Sequence, residues 1–265
     1  MEPREVIFSA NSGRVGSKFL AELVATSAEA HGLHEPQPAM KGRFLEMVAA
    51  APERESFDER QVKADAIRSW FSEHATKPVY CETNHLFIVT FQDVAVASFP
   101  RMKVVYLRRA LPAVVKSFFE RGFFSDESTT WQKWHISPNA VTAAIPAIAP
   151  DDELDTIDRI IAHLIDIEAR GARFRRAHPE VACVDARIGD LSSPEGAGRL
   201  FSSLGLTPTS ATGAFLAGGP VNVKEKSKRR VGASISVDEC RRRIDRYLER
   251  AAELGIEPPS GLAVD

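Results

Sequence analysis

Five short runs constrain this chain more than any other feature: Glu5–Ala10, Leu33–Glu35, Val79–Thr83, Lys103–Leu107 and Val181–Ala186. They are rich in Val, Ile, Tyr and Cys, and several are continuously apolar, as strands buried on both faces of a parallel sheet are. Amphipathic helical patterns lie between them. In Ser17–His31, Phe19, Leu20, Leu23, Val24 and Ala28 share a face, and Pro112–Arg121 stripes Val114, Val115, Phe118 and Phe119. Asp152–Arg170 starts with acidic residues and turns six Leu and Ile side chains inward. Pro194–Leu204 ends well at Gly205, and Val237–Leu254 closes the chain. Alternating strands and helices predict an α/β fold on a parallel sheet.

The 265 residues, 44% of them apolar, are enough for one sizeable core, so a single α/β domain over 1–265 is expected. Three regions depart from the alternation. Pro36–Pro78 reads as a helical insertion between two strands (about 36–78), offering a surface on which two copies could meet as a homodimer. Phe123–Pro150 is loop-like, and its Trp131, Trp134 and His135 suit either an acceptor wall or local core. Thr207–Arg230 lacks periodicity and reads as a flap at about 207–234.

Lys plus Arg (34) nearly balances Asp plus Glu (36), so the global charge of −2 favours neither nucleic acid nor an anionic membrane as a partner. Cys81, Cys183 and Cys240 lie far apart, with no metal-ligand spacing and no disulfide framework; Cys81 and Cys183 sit in strand-like runs, where buried thiols are usual. No signal peptide and no bilayer-spanning run is evident, and a cytoplasmic protein is the expectation.

The first run leads into chemistry. VIFSANSGRVGSKFL, Val6–Leu20, is a strand, a small-residue turn and a helix start, which presents backbone N–H groups and a helix dipole to an anion. It fails the Walker A pattern: Ser17 precedes Lys18, reversing lysine and hydroxyl, and Ala10 holds the leading glycine position. The loop offers Arg14, Val15, Gly16, Ser17 and Lys18. Downstream, KVVYLRRALPAVVKSFFERG, Lys103–Gly122, is an apolar strand ending in arginine, then a turn and a helix, with Arg109 and Ser117 eight residues apart. A guanidinium at the carboxyl end of a parallel strand and a hydroxyl on the next helix suit a phosphate dianion.

Together these segments resemble the sulfotransferases that use 3′-phosphoadenosine 5′-phosphosulfate (PAPS). Arg14–Lys18 is similar to their 5′-phosphosulfate loop, and strand–Arg109–x7–Ser117 to their 3′-phosphate motif. VACVDARIGDLSSPEGAGRLFSSLGL resembles their late strand, acidic-Leu turn (Asp190-Leu191) and following helix, with Ala186 and Arg187 where relatives carry an aromatic residue. KEKSKRRVGAS, Lys224–Ser234, is similar to the basic segment that closes over the 3′-phosphate, with Lys228, Arg229 and Arg230 all in reach of the role; a solvated charge run is the alternative. The resemblance spans Val6 to Leu206 in the family's motif order. It implies a three-layer, P-loop nucleoside-triphosphate-hydrolase-like sulfotransferase fold. It also implies PAPS as sulfuryl donor, its desulfo product PAP, no metal, and a small-molecule or carbohydrate acceptor bearing a hydroxyl or amine.

In such a transfer the protein aligns the acceptor, removes its proton and neutralises charge on the leaving nucleotide. Arg14 takes the position of the family's loop lysine and is expected to stabilise the leaving group; Lys18 stands where relatives have a hydroxyl. Two residues compete as general base. His85, in YCETNHLFI, has the better claim on pKa and place in the chain; Glu35, in LHEPQP, matches a catalytic glutamate of some bacterial relatives. His34 and Asn84 are neighbours suited to orienting the acceptor. The rival readings are a P-loop kinase or nucleotide hydrolase with a degenerate loop, and a non-catalytic nucleotide-binding module.

Overall fold

The computed structural model describes residues 2–125, 129, 131–218 and 234–262. Its chain runs β1 (Glu5–Ala10), α1 (Ser17–Ala25), β2 (Ala30–His34), α2 (Arg43–Ala50), α3 (Phe57–Arg60), α4 (Val62–His74) and β3 (Val79–Thr83). A single π-helical turn, Phe87–Phe91, then leads into α5 (Gln92–Ser98), β4 (Met102–Arg108) and α6 (Leu111–Phe119). The rest is α7 (Thr156–Ala177), β5 (Ala182–Arg187), α8 (Ile188–Leu191), α9 (Pro194–Leu204), α10 (Ser210–Ala217) and α11 (Val237–Glu253).

All strand pairings are parallel, in the order β2-β3-β1-β4-β5. Alternation along β1 splits the core in two. Ile7 faces α1, α6, α9 and α11 with Leu20, Val115, Phe201 and Ile244, whereas Val6, Phe8 and Ala10 face the insertion side with Phe44, Ile67 and Phe87. The result is three layers, helices on both faces of the sheet. From β1 the chain leaves toward β2 on one side; from β4 it leaves toward β5 on the other. The crevice at the carboxyl ends of β1 and β4 is therefore the topological switch point, where open α/β sheets bind ligands.

Several sequence expectations change in three dimensions. The first helix stops at Ala25, not His31. Thr26 Oγ1 donates to the Leu23 carbonyl at 2.6 Å, Ser27 Oγ accepts from Ala30 N–H at 3.1 Å, and the chain turns into β2, which starts three residues earlier than Leu33 and leaves Glu35 outside the strand. β2 lies so close on α1 that a Cβ at Gly32 would stand 1.9 Å from the Ala21 carbonyl oxygen, so only glycine fits there. α7 begins at Thr156 because Asp155, rather than Asp152, caps it by accepting from Asp158 N–H, and it runs on through Gly171 to Ala177. Residues 219–233 of the region expected as a flap lie outside the described residues; its first part holds α10, whose capping box pairs the Thr209 and Thr212 side chains with each other's backbone N–H. β5 is an edge strand with Cys183 half-buried, not a strand covered on both faces. Among the described residues, Phe123–Pro150 carries one short helical turn, Trp131–Lys133.

A buried polar network joins the insertion to the sheet. Lys63 on α4 and Glu82 on β3, both fully buried, pair at 2.7 Å. Lys63 Nζ also donates to the Pro36 and Pro38 carbonyls at 3.1 and 3.0 Å. Glu82 accepts from Tyr80 Oη at 2.8 Å and from Asn84 Nδ2 at 3.1 Å, and Asn84 Nδ2 donates to the Ala39 carbonyl as well. Breaking such a pair leaves an uncompensated buried charge. Lys63→Met or Glu82→Gln alone should therefore lower the unfolding free energy by about 3–5 kcal/mol in urea titrations, and the double variant should lose less than the sum of the two.

His135 and His163 are buried among Phe118, Phe124 and Trp131, with their rings 5.3 Å apart. Burial pushes both pKa values down, His163 to about 3, with nearby positive charge adding to it. The unfolded chain then binds more protons than the folded one between about pH 3 and the ordinary histidine value near 6.5. Stability is full above that value and should fall as the pH drops through this window, so thermal midpoints should decline below about pH 6.5. In His163→Phe the decline should be shallower.

Candidate active site

The loop after β1 is shaped by its small residues. Gly13 N–H donates to Asn11 Oδ1 at 2.9 Å, and Asn11 Nδ2 donates to Ser9 Oγ at 2.8 Å. Gly13, Arg14 and Gly16 all have left-handed backbones (φ 80, 59 and 95), the last being the N-cap of α1. No side chain caps α1, so its leading N–H groups face the loop's concavity, an arrangement suited to an anion. Val15 is buried in the core, Ser17 is the buried first residue of α1, and exposed Lys18 pairs with Glu22 at 3.7 Å.

The loop brings Arg14 to the motif after β4. Arg14 Nε donates to Ser117 Oγ at 3.2 Å, and Arg109 Nη1 donates to the Arg14 carbonyl at 3.4 Å. Arg121, in the turn that follows α6, adds its charge to Arg14. The Arg14 guanidinium is pushed down to about 10, first by burial, then by the charges of Arg121 and Arg109, with Glu35 pulling the other way. The Ser117 hydroxyl thus meets one guanidinium on which two others act, with Glu35 the one carboxylate acting the other way on Arg14, a surplus of positive charge that a phosphate or phosphosulfate would relieve. Adjacent Arg108 is engaged elsewhere, with Glu168 at 2.9 Å and Asp185 at 2.5 Å. Sequence reading passed over Arg121; the available signal was its place four residues past Ser117 at the end of the expected helix Pro112–Arg121, which the structure ends at Phe119.

Glu35 and His85 meet beside this cluster. Glu35 follows β2 with a left-handed backbone (φ 49), its N–H donating to the Thr83 carbonyl at 3.1 Å. His85 follows β3 and packs its ring against Gly13, where a Cβ would stand 3.6 Å from the ring. His85 Nε2 lies 2.9 Å from the Trp134 carbonyl, which only accepts, so Nε2 carries a proton. Its Nδ1 lies 2.9 Å from Glu35 Oε1, sharing a proton with that carboxylate. Both ring nitrogens are therefore occupied. For Glu35, burial is the largest influence and acts upward, but the hydrogen bond and charge of His85, with His34 and Lys41, outweigh it and hold the carboxyl below its ordinary range.

The remaining sequence-predicted residues divide. His34 is exposed, with Nδ1 3.1 Å from Thr83 Oγ1, and Asn84 belongs to the buried network rather than the site. Trp131 and His135 pack in the core; Trp134, half-buried, stacks on His85 with centroids 5.6 Å apart. Lys228, Arg229 and Arg230 lie outside the described residues. A cleft of about 530 Å³ opens at the end of β5, lined by Arg108, Ala186, Arg187, Asp190 and Arg199 among others. Among the described residues no three of His, Cys, Asp or Glu stand together as metal ligands, and no helix is long and apolar enough to cross a membrane.

No known family matches the sequence, and no curated protein does. Solved structures do match in shape. The sulfotransferase domain from the curacin biosynthetic pathway has a TM-score of 0.51 at 14% identity, over 98% of this chain and all of that one. The sulfotransferase from Alicyclobacillus acidocaldarius scores 0.52 at 11% identity, over 95% of each chain. The sulfotransferase domain of the Synechococcus PCC 7002 olefin synthase scores 0.52 at 12% identity, over 97% of each. The five-stranded parallel sheet with helices on both faces is thus the P-loop-like fold of the sulfotransferases.

Proposed function

We propose that this protein transfers a sulfuryl group from PAPS to a hydroxyl or amine of a small-molecule or carbohydrate acceptor, with Glu35 as general base. The observation that supports the reading is the charge gathered at Arg14: its guanidinium meets Ser117 Oγ, Arg109 meets its carbonyl, Arg121 adds a third positive charge, and Glu35 is the one carboxylate acting on it. These donors fit a nucleotide with phosphates at both its 5′ and 3′ ends. Arg109 and Ser117 hold the 3′-phosphate, and the α1 N-terminus with Arg14 holds the 5′ end. The cleft beyond Arg108, between β5 and α9, is of a size that admits a nucleoside.

The donor supplies an activated sulfuryl group; the rest falls to the protein's residues. Glu35 takes the proton of the acceptor hydroxyl as its oxygen forms the new bond to sulfur. The bond from sulfur to the bridging phosphate oxygen breaks, its electron pair stays on that oxygen, and Arg14 neutralises the charge. His85, with both nitrogens engaged, serves as a positioning residue. It holds the Glu35 carboxylate in place and keeps it ionised near neutrality.

Calorimetric titration with PAP in the absence of magnesium tests the donor. PAP should bind, 5′-AMP should bind at least about tenfold more weakly, and Arg109→Ala or Ser117→Ala should remove most of that difference, since a charged hydrogen bond contributes about 1.5–3 kcal/mol. Binding of ATP with magnesium as tight as PAP would overturn the reading in favour of a kinase.

The base has its own test in the pH profile of sulfuryl transfer. Glu35→Gln should retain PAP binding and lose transfer by about 10²-fold or more. Because the partner His85 lowers the Glu35 pKa, His85→Asn should move the acidic limb of the profile to higher pH, leaving burial opposed only by the charges of His34 and Lys41.

A further inference from the structure

The acceptor side of Glu35 is as unevenly charged as the donor side. The loop from Glu35 to Gly42 has three left-handed residues, Glu35, Met40 and Gly42 (φ 49, 60 and 60), and Lys63 pins its start through the Pro36 and Pro38 carbonyls. At its far end Gly42 N–H donates to the Lys133 carbonyl at 2.9 Å, tying the loop to the segment that carries Trp134. Between these anchors the loop presents Lys41, whose ammonium sits 4.1 Å from the centroid of the Trp134 ring. Trp134 in turn stacks on His85, the partner of Glu35.

Lys41 is exposed, and among the described residues no carboxylate pairs with it, although its charge reaches Glu35. Exposed His34 adds a second charge acting on Glu35, and exposed Lys133 supplies the carbonyl that anchors Gly42. The position of Lys41 is held by backbone geometry and by the indole face rather than by a salt bridge. A lysine held over an aromatic ring keeps its N–H groups free for a further acceptor. A group arriving with its hydroxyl at Glu35 would carry its other substituents past Trp134 to this ammonium.

We propose that the acceptor is an anionic alcohol or phenol, its carboxylate or phosphate received by Lys41 over the face of Trp134 while its hydroxyl lies at Glu35. This rests on the reading of Glu35 as the base of a sulfuryl transfer and names the substrate class for that site. Lys41 is a specificity-determining residue under this assignment, and neutral acceptors of the same shape are discriminated against.

The test uses the full chain loaded with PAP, titrated calorimetrically with two matched pairs: 4-hydroxybenzoate against 4-hydroxybenzamide, and 3-hydroxybutyrate against its amide. In at least one pair the acid should bind about fivefold or more tightly than the amide, the scale of one accessible ion pair. That preference should vanish in Lys41→Met and reverse in Lys41→Glu, with PAP affinity unchanged in both. Equal binding of acid and amide, binding of neither, or a preference that survives Lys41→Met would overturn the assignment. A 4-hydroxyphenyl phosphate arm separates phosphate from carboxylate as the preferred anion. Failure of PAP itself to bind the unmodified chain would instead strike at the donor reading.

Discussion

The buried contact between Lys63 and Glu82 is the constraint on which the site depends. Glu82 stands on β3, a central strand, and Lys63 on the insertion that follows β2. Two ions removed from water gain little stability from each other, because desolvation offsets most of their attraction. Their contribution is register. The ammonium finds its remaining acceptors in the Pro36 and Pro38 carbonyls, and Asn84, which also serves Glu82, reaches the Ala39 carbonyl. Glu35, Pro36, Pro38 and Ala39 are thereby referred to the sheet. The left-handed backbone at Glu35 is tolerated because both sides of it are held, one by the ladder to Thr83 and the other by Lys63.

That rigidity matters because the cluster opposite is built of like charges. Arg14, Arg109 and Arg121 come from three places in the chain and are brought together by the carboxyl ends of β1 and β4. Their mutual repulsion is unfavourable in the free protein, and an anion bound among them removes it. In the proposed transfer, donors already aimed at developing charge would need no reorganisation, the main way a protein with no covalent part in such chemistry accelerates it. The Glu35–His85 contact follows the same principle: the histidine, held by the Trp134 carbonyl, fixes the orientation of the carboxylate.

The strand–loop–helix after β1, the Arg109–Ser117 spacing and the succession of strands and helices were all legible in the residues, because each is local. Apolar runs, glycines and a turn of helix announce themselves within a few positions. Helix ends were less legible. Thr26 and Ser27 end α1 through side-chain bonds that only the nearby turn into β2 makes available, and α10 forms in a stretch without apolar periodicity because a Thr209–Thr212 capping box and a contact of Thr26 with Thr212 hold it.

The sequence by itself determined the layered α/β architecture, the order of the segments proposed to hold the donor and the short list from which the proposed base was drawn, since these follow from hydrophobic period and residue type. Tertiary structure alone decided which of those residues meet. It occupies both nitrogens of His85, leaving Glu35 as the carboxylate beside Arg14. It diverts Arg108 to Glu168 and Asp185, sends Lys18 to Glu22, and adds Arg121 and Lys41 to the site. The physical reason is that a hydrogen bond or a charge acts over a few ångströms of space, and residues separated by fifty or a hundred positions come within that range only when the sheet has closed.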